Sequence, residues 1–210
     1  MLSQRIQPVR CFILSALAVL LTACAGLSTT PSGDDTALQR AWRTHQAKLA
    51  TLQHWSLTGR VAIQTESEGW SATLRWTQHE DAYSMRLISP FGQGSYELQG
   101  GADGVVMRTA DNQILVAEDA EVLMLQSLGW SIPVTGLRYW VRGIPEPGQP
   151  VDNIVLNDEG YMTDLQQSGW RVSVLRYVQD GDLTLPEKLF MHNAKFKVRL
   201  VVQNWDTGAL

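Results

Sequence analysis

From Trp55 onward the chain alternates apolar and polar residues with a period of two. Leu57, Gly59, Val61 and Ile63 fall on one face, against Thr58, Arg60, Ala62 and Gln64. After a turn at Glu66 to Gly69, the residues Trp70, Ala72, Leu74 and Trp76 alternate with Ser71, Thr73 and Arg75. Tyr83, Met85 and Leu87 do the same against Ser84 and Arg86. Side chains of a strand point to opposite faces in turn, so this pattern is satisfied by antiparallel strands with one apolar and one solvated face. Weaker strand signals follow at 95–99, 104–109 and 113–117, then at 152–157, 160–167, 170–178, 187–192 and 195–204. In the last of these, Phe196, Val198, Leu200 and Val202 make the cleanest alternation.

Two stretches switch to helical spacing. Residues 36–53 place Leu38, Ala41, Trp42, His45, Leu49 and Leu52 three or four apart, with Asp35 as the expected N-cap. Residues 119–128 carry Val122, Leu123, Leu125 and Leu128 and stop at Gly129, and a second short helix fits 135–142. Three prolines and one glycine from Ile144 to Pro150 predict a loop. The order helix, strands, helix pair, strands predicts a mainly antiparallel curved sheet or barrel with helices against one face. A membrane-spanning barrel is disfavoured, because helices interrupt short strands and such barrels need a closed ring.

The N-terminus adds a separate constraint. Arg5 and Arg10 precede an apolar run from Phe12 to Leu21, and Leu21-Thr22-Ala23-Cys24 closes it. A run of ten residues, mostly apolar, is too short to span a bilayer, so residues 1–23 read as a signal peptide. The closing tetrapeptide resembles a bacterial lipobox, which implies that Cys24 is lipidated and becomes the first residue of the mature chain. Residues 24–35 are small and polar and read as a flexible tether, leaving 36–210 as one domain. Loss of residues 1–23 from 210 leaves 187 and moves the net charge from −4 to −6. A net acidic domain without clustered Lys and Arg is a poor nucleic-acid binder.

Chemistry is sparse in this chain. His45, His54, His79 and His192 lack metal-ligand spacing with another His or Cys, so neither metal nor cofactor is expected. There is no Gly-x-Ser-x-Gly elbow and no phosphate loop, which argues against ATP-driven work and weakly against any enzyme. What stands out is tryptophan, at positions 42, 55, 70, 76, 130, 140, 170 and 205. These rings fill a core or line an apolar ligand site, and the sequence does not divide the two. Ser89-Pro90-Phe91-Gly92-Gln93-Gly94 joins two strands as a turn. Phe91 either folds back on the core or protrudes as a hydrophobic finger.

Four segments resemble the LolB family, the outer-membrane receptors of the bacterial lipoprotein localisation pathway. They are the lipobox at Cys24, the loop Ser89-Pro90-Phe91-Gly92 before Tyr96-Glu97-Leu98, the run from Gly129-Trp130-Ser131-Ile132-Pro133 through Leu137-Arg138-Tyr139-Trp140-Val141-Arg142-Gly143-Ile144-Pro145, and Asn204-Trp205. The resemblance implies an unclosed barrel, a half barrel, with helices covering an apolar cavity. It implies that Pro90, Phe91 and Gly92 form a membrane-insertion loop, with Phe91 where the family carries leucine. It implies acyl chains as ligands, a LolA-like periplasmic carrier and outer-membrane phospholipid as partners, and a monomer facing the periplasm. With acyl chains implied as ligands, the apolar residues expected to face inward, Trp70, Leu74, Trp76, Met85, Leu87, Leu98, Leu125 and Trp140, are the candidates to hold them, the inward face of each strand being read from alternation. Ala25 after the lipidated cysteine, where Asp would favour retention at the inner membrane, agrees with the outer membrane. The rival expectation is a lipid-anchored structural or assembly protein of the outer membrane with a filled core.

Overall fold

The computed structural model describes residues 33–90 and 94–208. Cys24 and the loop residues Phe91 and Gly92 lie outside them. The chain runs α1 (Gly33–Ala50), β1 (His54–Gln64), β2 (Gly69–His79), β3 (Ala82–Ile88), β4 (Ser95–Gly101), β5 (Gly104–Arg108) and β6 (Ile114–Ala117). Two short helices, α2 (Ala120–Leu128) and α3 (Val134–Trp140), precede β7 (Val151–Leu156), β8 (Met162–Gln167), β9 (Trp170–Asp180), β10 (Leu183–His192) and β11 (Lys197–Asp206). The strands form one sheet in the order β6-β5-β4-β3-β2-β1-β11-β10-β9-β8-β7. Each of its pairings is antiparallel.

All neighbours but one are consecutive in the chain, as short hairpin turns dictate. The exception is β1 with β11, which joins the two halves of the meander at its middle. The outer strands β6 and β7 do not pair, so the sheet is unclosed, as the half-barrel expectation required. Between the pairs Thr58–Asn204 and Gly59–Val202 the register skips Gln203, a bulge that bends β11 against β1. A Cβ on Gly59 would stand 2.5 Å from the Val201 carbonyl oxygen, so this close approach excludes any side chain.

Cross-strand register carries the inward residues in continuous rows. One runs Trp205, Leu57, Trp76, Met85, Leu98, Met107, Leu115 from β11 to β6. Another runs Ile154, Leu165, Val172, Met191, Val198, Ile63, Trp70 from β7 to β2. The opposite face is solvated, with Arg60, Arg75, Arg86, Arg108 and Arg199 all exposed, and Val106, Val116 and Leu175 are exposed on it as well. A membrane barrel has the reverse polarity, polar inside and apolar outside. Among the described residues no helix is long and apolar enough to cross a membrane.

The helices end where their sequences require. Asp119 caps α2 by accepting the Glu121 N–H at 2.6 Å. Gly129, at φ 76°, closes it by donating to the Leu125 carbonyl at 3.1 Å. Several boundaries differ from expectation, among them those of α1, β10 and β11. Helix α1 begins at Gly33, so Asp35 lies inside it rather than at its cap, and Gly33 to Asp35 are not part of the tether. Strand β10 begins at Leu183, four residues before the expected start at 187. Pro186 hid the extension, and the ladder accommodates it through a register shift between Pro186 and Lys188. Strand β11 is displaced by two residues, because Asn193 and Phe196 close a turn before it.

Candidate functional site

The inward face of the sheet, roofed by α2 and α3, is where the apolar candidates meet. Leu74, Trp76, Met85 and Leu98 are buried there, and Trp140 of α3 is fully buried opposite them. Leu87 sits between Leu74 and Tyr96 in register and is half-buried, as is Trp70 at the end of its row. Seven of the eight nominated residues therefore share one interior. Leu125 does not, being 56% exposed. Helix α2 turns about 100° per residue, so Leu125 lies roughly 200° from buried Leu123 and cannot share its face. Its assignment to the interior is corrected accordingly.

The interior is filled by side chains. Trp55, Trp76, Trp140, Met162, Leu165 and Leu185 are essentially inaccessible to solvent. The ring centroids of Trp55 lie 4.9 Å from Trp76 and 5.5 Å from Trp205. Three of the buried indole N–H groups are satisfied: Trp76 donates to the Gln78 side-chain oxygen at 3.0 Å, Trp140 to that of Gln167 at 2.9 Å, and Trp205 to the Pro186 carbonyl at 2.9 Å. Buried Gln78 and Gln167 thus let tryptophan enter the core without an orphaned donor. Sequence reasoning missed both glutamines. Their signal was present, since Gln78 continues the inward alternation of Leu74 and Trp76, and Gln167 that of Leu165.

At the end of the sheet carrying the β1–β2 turn, the interior opens. A cleft of ≈ 610 Å³ lies among Thr65 to Trp70, Leu128 to Trp130, Lys195 and Phe196. Trp70 and Trp130, both in its wall, pack on each other with ring centroids 5.3 Å apart. This volume is of the order that holds one drug-sized ligand. The antiparallel meander places the β3–β4 loop, with exposed Pro90 at its start, at the same end.

At the opposite end α1 and α3 are tied together by one buried cation. Arg142 donates from Nη1 to the carbonyls of Leu49 at 2.9 Å and Leu52 at 2.8 Å, and from Nε to that of Arg138 at 2.9 Å. Its guanidinium lies 5.0 Å from the Tyr139 ring centroid and has no carboxylate partner among the described residues. Burial pulls its pKa down to about 10, with Tyr139 opposing and Arg138 adding to the fall. The group remains a cation at neutral pH and neutralises the carbonyl-rich end of α1. Nearby, His45 packs on Tyr161 at 4.6 Å, and burial with the charge of Lys48 brings its pKa down to about 4. This end is otherwise acidic: Glu80, Asp81, Asp103, Asp119, Asp158 and Asp182 lie in or beside its turns.

The family described as "Outer membrane lipoprotein LolB" matches residues 53–205. A Nitrosococcus oceani protein named "Outer-membrane lipoprotein LolB" is 40% identical over 191 residues, 90% of this chain and 94% of its own. A Pseudomonas syringae pv. syringae protein of the same name is 35% identical over 198 residues, 94% of this chain and 96% of its own. Among solved structures, a LolA superfamily protein from Nitrosomonas europaea aligns with TM-score 0.49 and 5% identity over 82% of this chain and 94% of that one. The chain described above belongs to the LolB family of outer-membrane lipoproteins.

Proposed function

We propose that this chain is an outer-membrane lipoprotein of the Lol pathway that receives lipoproteins from a LolA-like periplasmic carrier. It takes their acyl chains against its apolar inner face and passes them to the inner leaflet of the outer membrane without ATP. The observation that carries this reading is the continuous apolar face from Trp205 to Leu115, enclosed by an unclosed sheet and roofed by two short helices. Family membership supports the location and the pathway.

The physics sets the mechanism. Exposing acyl chains to water costs ~0.8 kcal/mol per methylene, so the cargo must cross the aqueous space shielded. The interior is already filled, so chains enter only by displacing side chains and the roof that holds them. Helix α2 is the element to move: it buries only Ala120, Leu123 and Met124 and exposes Val122 and Leu125. The Trp70–Trp130 cleft is the mouth through which chains start, since it opens beside the loop that would meet the membrane. Transfer is downhill, with affinity rising from carrier to receptor to bilayer. Attachment through Cys24 confines the receptor to the membrane surface and raises its effective concentration there.

A fluorescent acylated peptide titrated into the chain carrying Cys24→Ala tests the proposal. Saturable binding, with quenching of tryptophan fluorescence, is expected. Absence of saturable binding favours the rival, a lipid-anchored structural protein, which the filled core would equally suit.

A further inference from the structure

Acyl-chain transfer uses the inner face of the sheet and leaves the outer face unexplained. On that outer face a groove of ≈ 420 Å³ is lined by Arg60, Ala62, Ser71, Thr73, Ile88, Pro90, Arg199 and Val201. A second hollow of ≈ 260 Å³ shares Ala62, Ser71 and Arg199 and extends the first to Gln64 and Lys197. Register explains the trough. Small side chains occupy its floor, because Ala62 stands between Arg199 of β11 and Ser71 of β2. Arg60 stands between Val201 and Thr73, so the two arginines flank the floor diagonally.

The groove is cationic in a molecule that is net acidic. Arg60, Lys197 and Arg199 are exposed, and none is in an ion pair among the described residues. Arg199 rests at 6.0 Å on the Phe190 ring, which holds its guanidinium to the sheet. The nearest acids along the chain, Glu66 and Glu68, belong to the β1–β2 turn and pair with none of these cations within 4 Å. The trough ends at Ile88 and Pro90, the foot of the β3–β4 loop. The turns at the far end carry Glu80, Asp81, Asp103, Asp119, Asp158 and Asp182. The basic patch is thus confined to the outer face of β1, β2 and β11, since the turns at the loop end carry Glu66, Glu68 and Asp111 and the far end adds Arg138, paired with Asp81, to its acids.

We propose that this groove binds the anionic phospholipid headgroups of the bilayer surface. Arg60 and Arg199 engage the phosphates, and Ser71 and Thr73 donate hydroxyl hydrogen bonds to them. A tether attaches the chain without orienting it, whereas this contact presents the β3–β4 loop and the Trp70–Trp130 mouth to the leaflet. The proposal deepens the transfer reading and rests on it for the role of the loop, but headgroup contact itself is measurable without cargo.

The test uses the lipid-modified chain beginning at Cys24, from which Cys11 has left with residues 1–23 and in which the Cys24 sulfur is a thioether, so that the only free thiol is the one introduced. It is reconstituted from detergent onto vesicles, with a fluorophore attached through Gln64→Cys in the groove or Asp103→Cys at the far end. Vesicles contain nitroxide-headgroup lipid, with or without about one quarter phosphatidylglycerol in phosphatidylethanolamine. Quenching at position 64 is expected to exceed that at 103 by about threefold, only in the anionic vesicles and only at low salt. Each cation lost near an anionic surface weakens contact roughly fivefold, so Arg60→Gln with Arg199→Gln should lower it on the order of 25-fold. Arg108→Gln, on the same face but at the far side of the sheet, should change it little. Equal quenching in phosphatidylethanolamine alone, or an Arg108→Gln effect as large as that of the pair, overturns the groove assignment. An unchanged unfolding midpoint of the exposed double variant shows that the fold is intact. If Phe91→Glu delivers cargo normally while position 64 stays quenched, the finger falls and the groove stands.

Discussion

Trp140 of α3 donates its indole N–H to the side-chain oxygen of Gln167 on β8 at 2.9 Å, and both residues are wholly buried. The same oxygen accepts the Glu146 N–H at 2.9 Å, while the Gln167 amide nitrogen donates to the carbonyls of Glu146 at 2.9 Å and Gln149 at 3.3 Å. One glutamine therefore satisfies the roof helix and the loop that follows it. Gln167→Leu would orphan several buried polar groups, each worth ~1–3 kcal/mol. Loss of about 3 kcal/mol in stability is expected, read as a lower urea midpoint at unchanged m-value.

Arg142 performs the corresponding task at the end of α1. Arg142→Leu removes three charge-assisted bonds to main-chain carbonyls. Amide hydrogen exchange around Leu49 to Leu52 should accelerate by at least tenfold, with the strands of β1 and β11 little changed. Uniform acceleration across the sheet would mean that Arg142 supports the whole fold rather than this joint.

His45 makes stability depend on acid. Its folded pKa is about 4 against an ordinary 6.5, through burial first and Lys48 second. The unfolded chain thus binds the extra proton between those values, and stability falls as pH drops from 6.5 toward 4. The groups facing the ring are Tyr161, Tyr177 and Lys48. His45→Phe keeps the aromatic packing and should flatten the thermal midpoint across that window. An identical pH profile in the variant would assign the acid sensitivity to the carboxylates.

Phe91→Glu addresses delivery. Burying one aromatic ring in lipid contributes ~1.5–3 kcal/mol, enough for a transient contact. The variant should accept lipoprotein from the carrier at the normal rate and release it to liposomes at least tenfold more slowly. Equal release rates would remove Phe91 from the mechanism.

Cys24→Ala separates attachment from uptake. Fractionation should move the protein out of the membrane, while acylated-peptide affinity changes by less than about twofold. A variant that stays in the membrane fraction would show that something other than the thioether holds it there.

Much of this fold was legible because alternation and register are one property. The inward rows follow from the period-two pattern of Leu57 to Ile63 and Trp70 to Trp76, which a one-residue slip would invert. Gly129 stopped α2 where its backbone conformation demanded. Legibility failed where a residue acts through a distant partner. Pro186 reads as a strand breaker until its neighbouring strand is known to shift register around it. Leu125 looked inward because a short apolar helix has no polar stripe to mark its outer face. Gln78 and Gln167 matter through indoles and carbonyls that pattern alone does not bring together. The outer groove was invisible for the same reason, since Arg60 and Arg199 lie 139 positions apart in the chain and meet only through the β1–β11 pairing.

That the ladder stops at β6 and β7 gives the molecule a mechanical freedom. Ten pairings hold the sheet, and none of them bridges this seam. A closed barrel has a girth fixed by strand number and stagger, and enlarging it means breaking a ladder. Here a small untwisting shared among ten joints parts the seam without rupturing one backbone bond. The inner volume is then an elastic variable rather than a fixed dimension, and a side-chain-filled resting state is compatible with cargo of differing bulk.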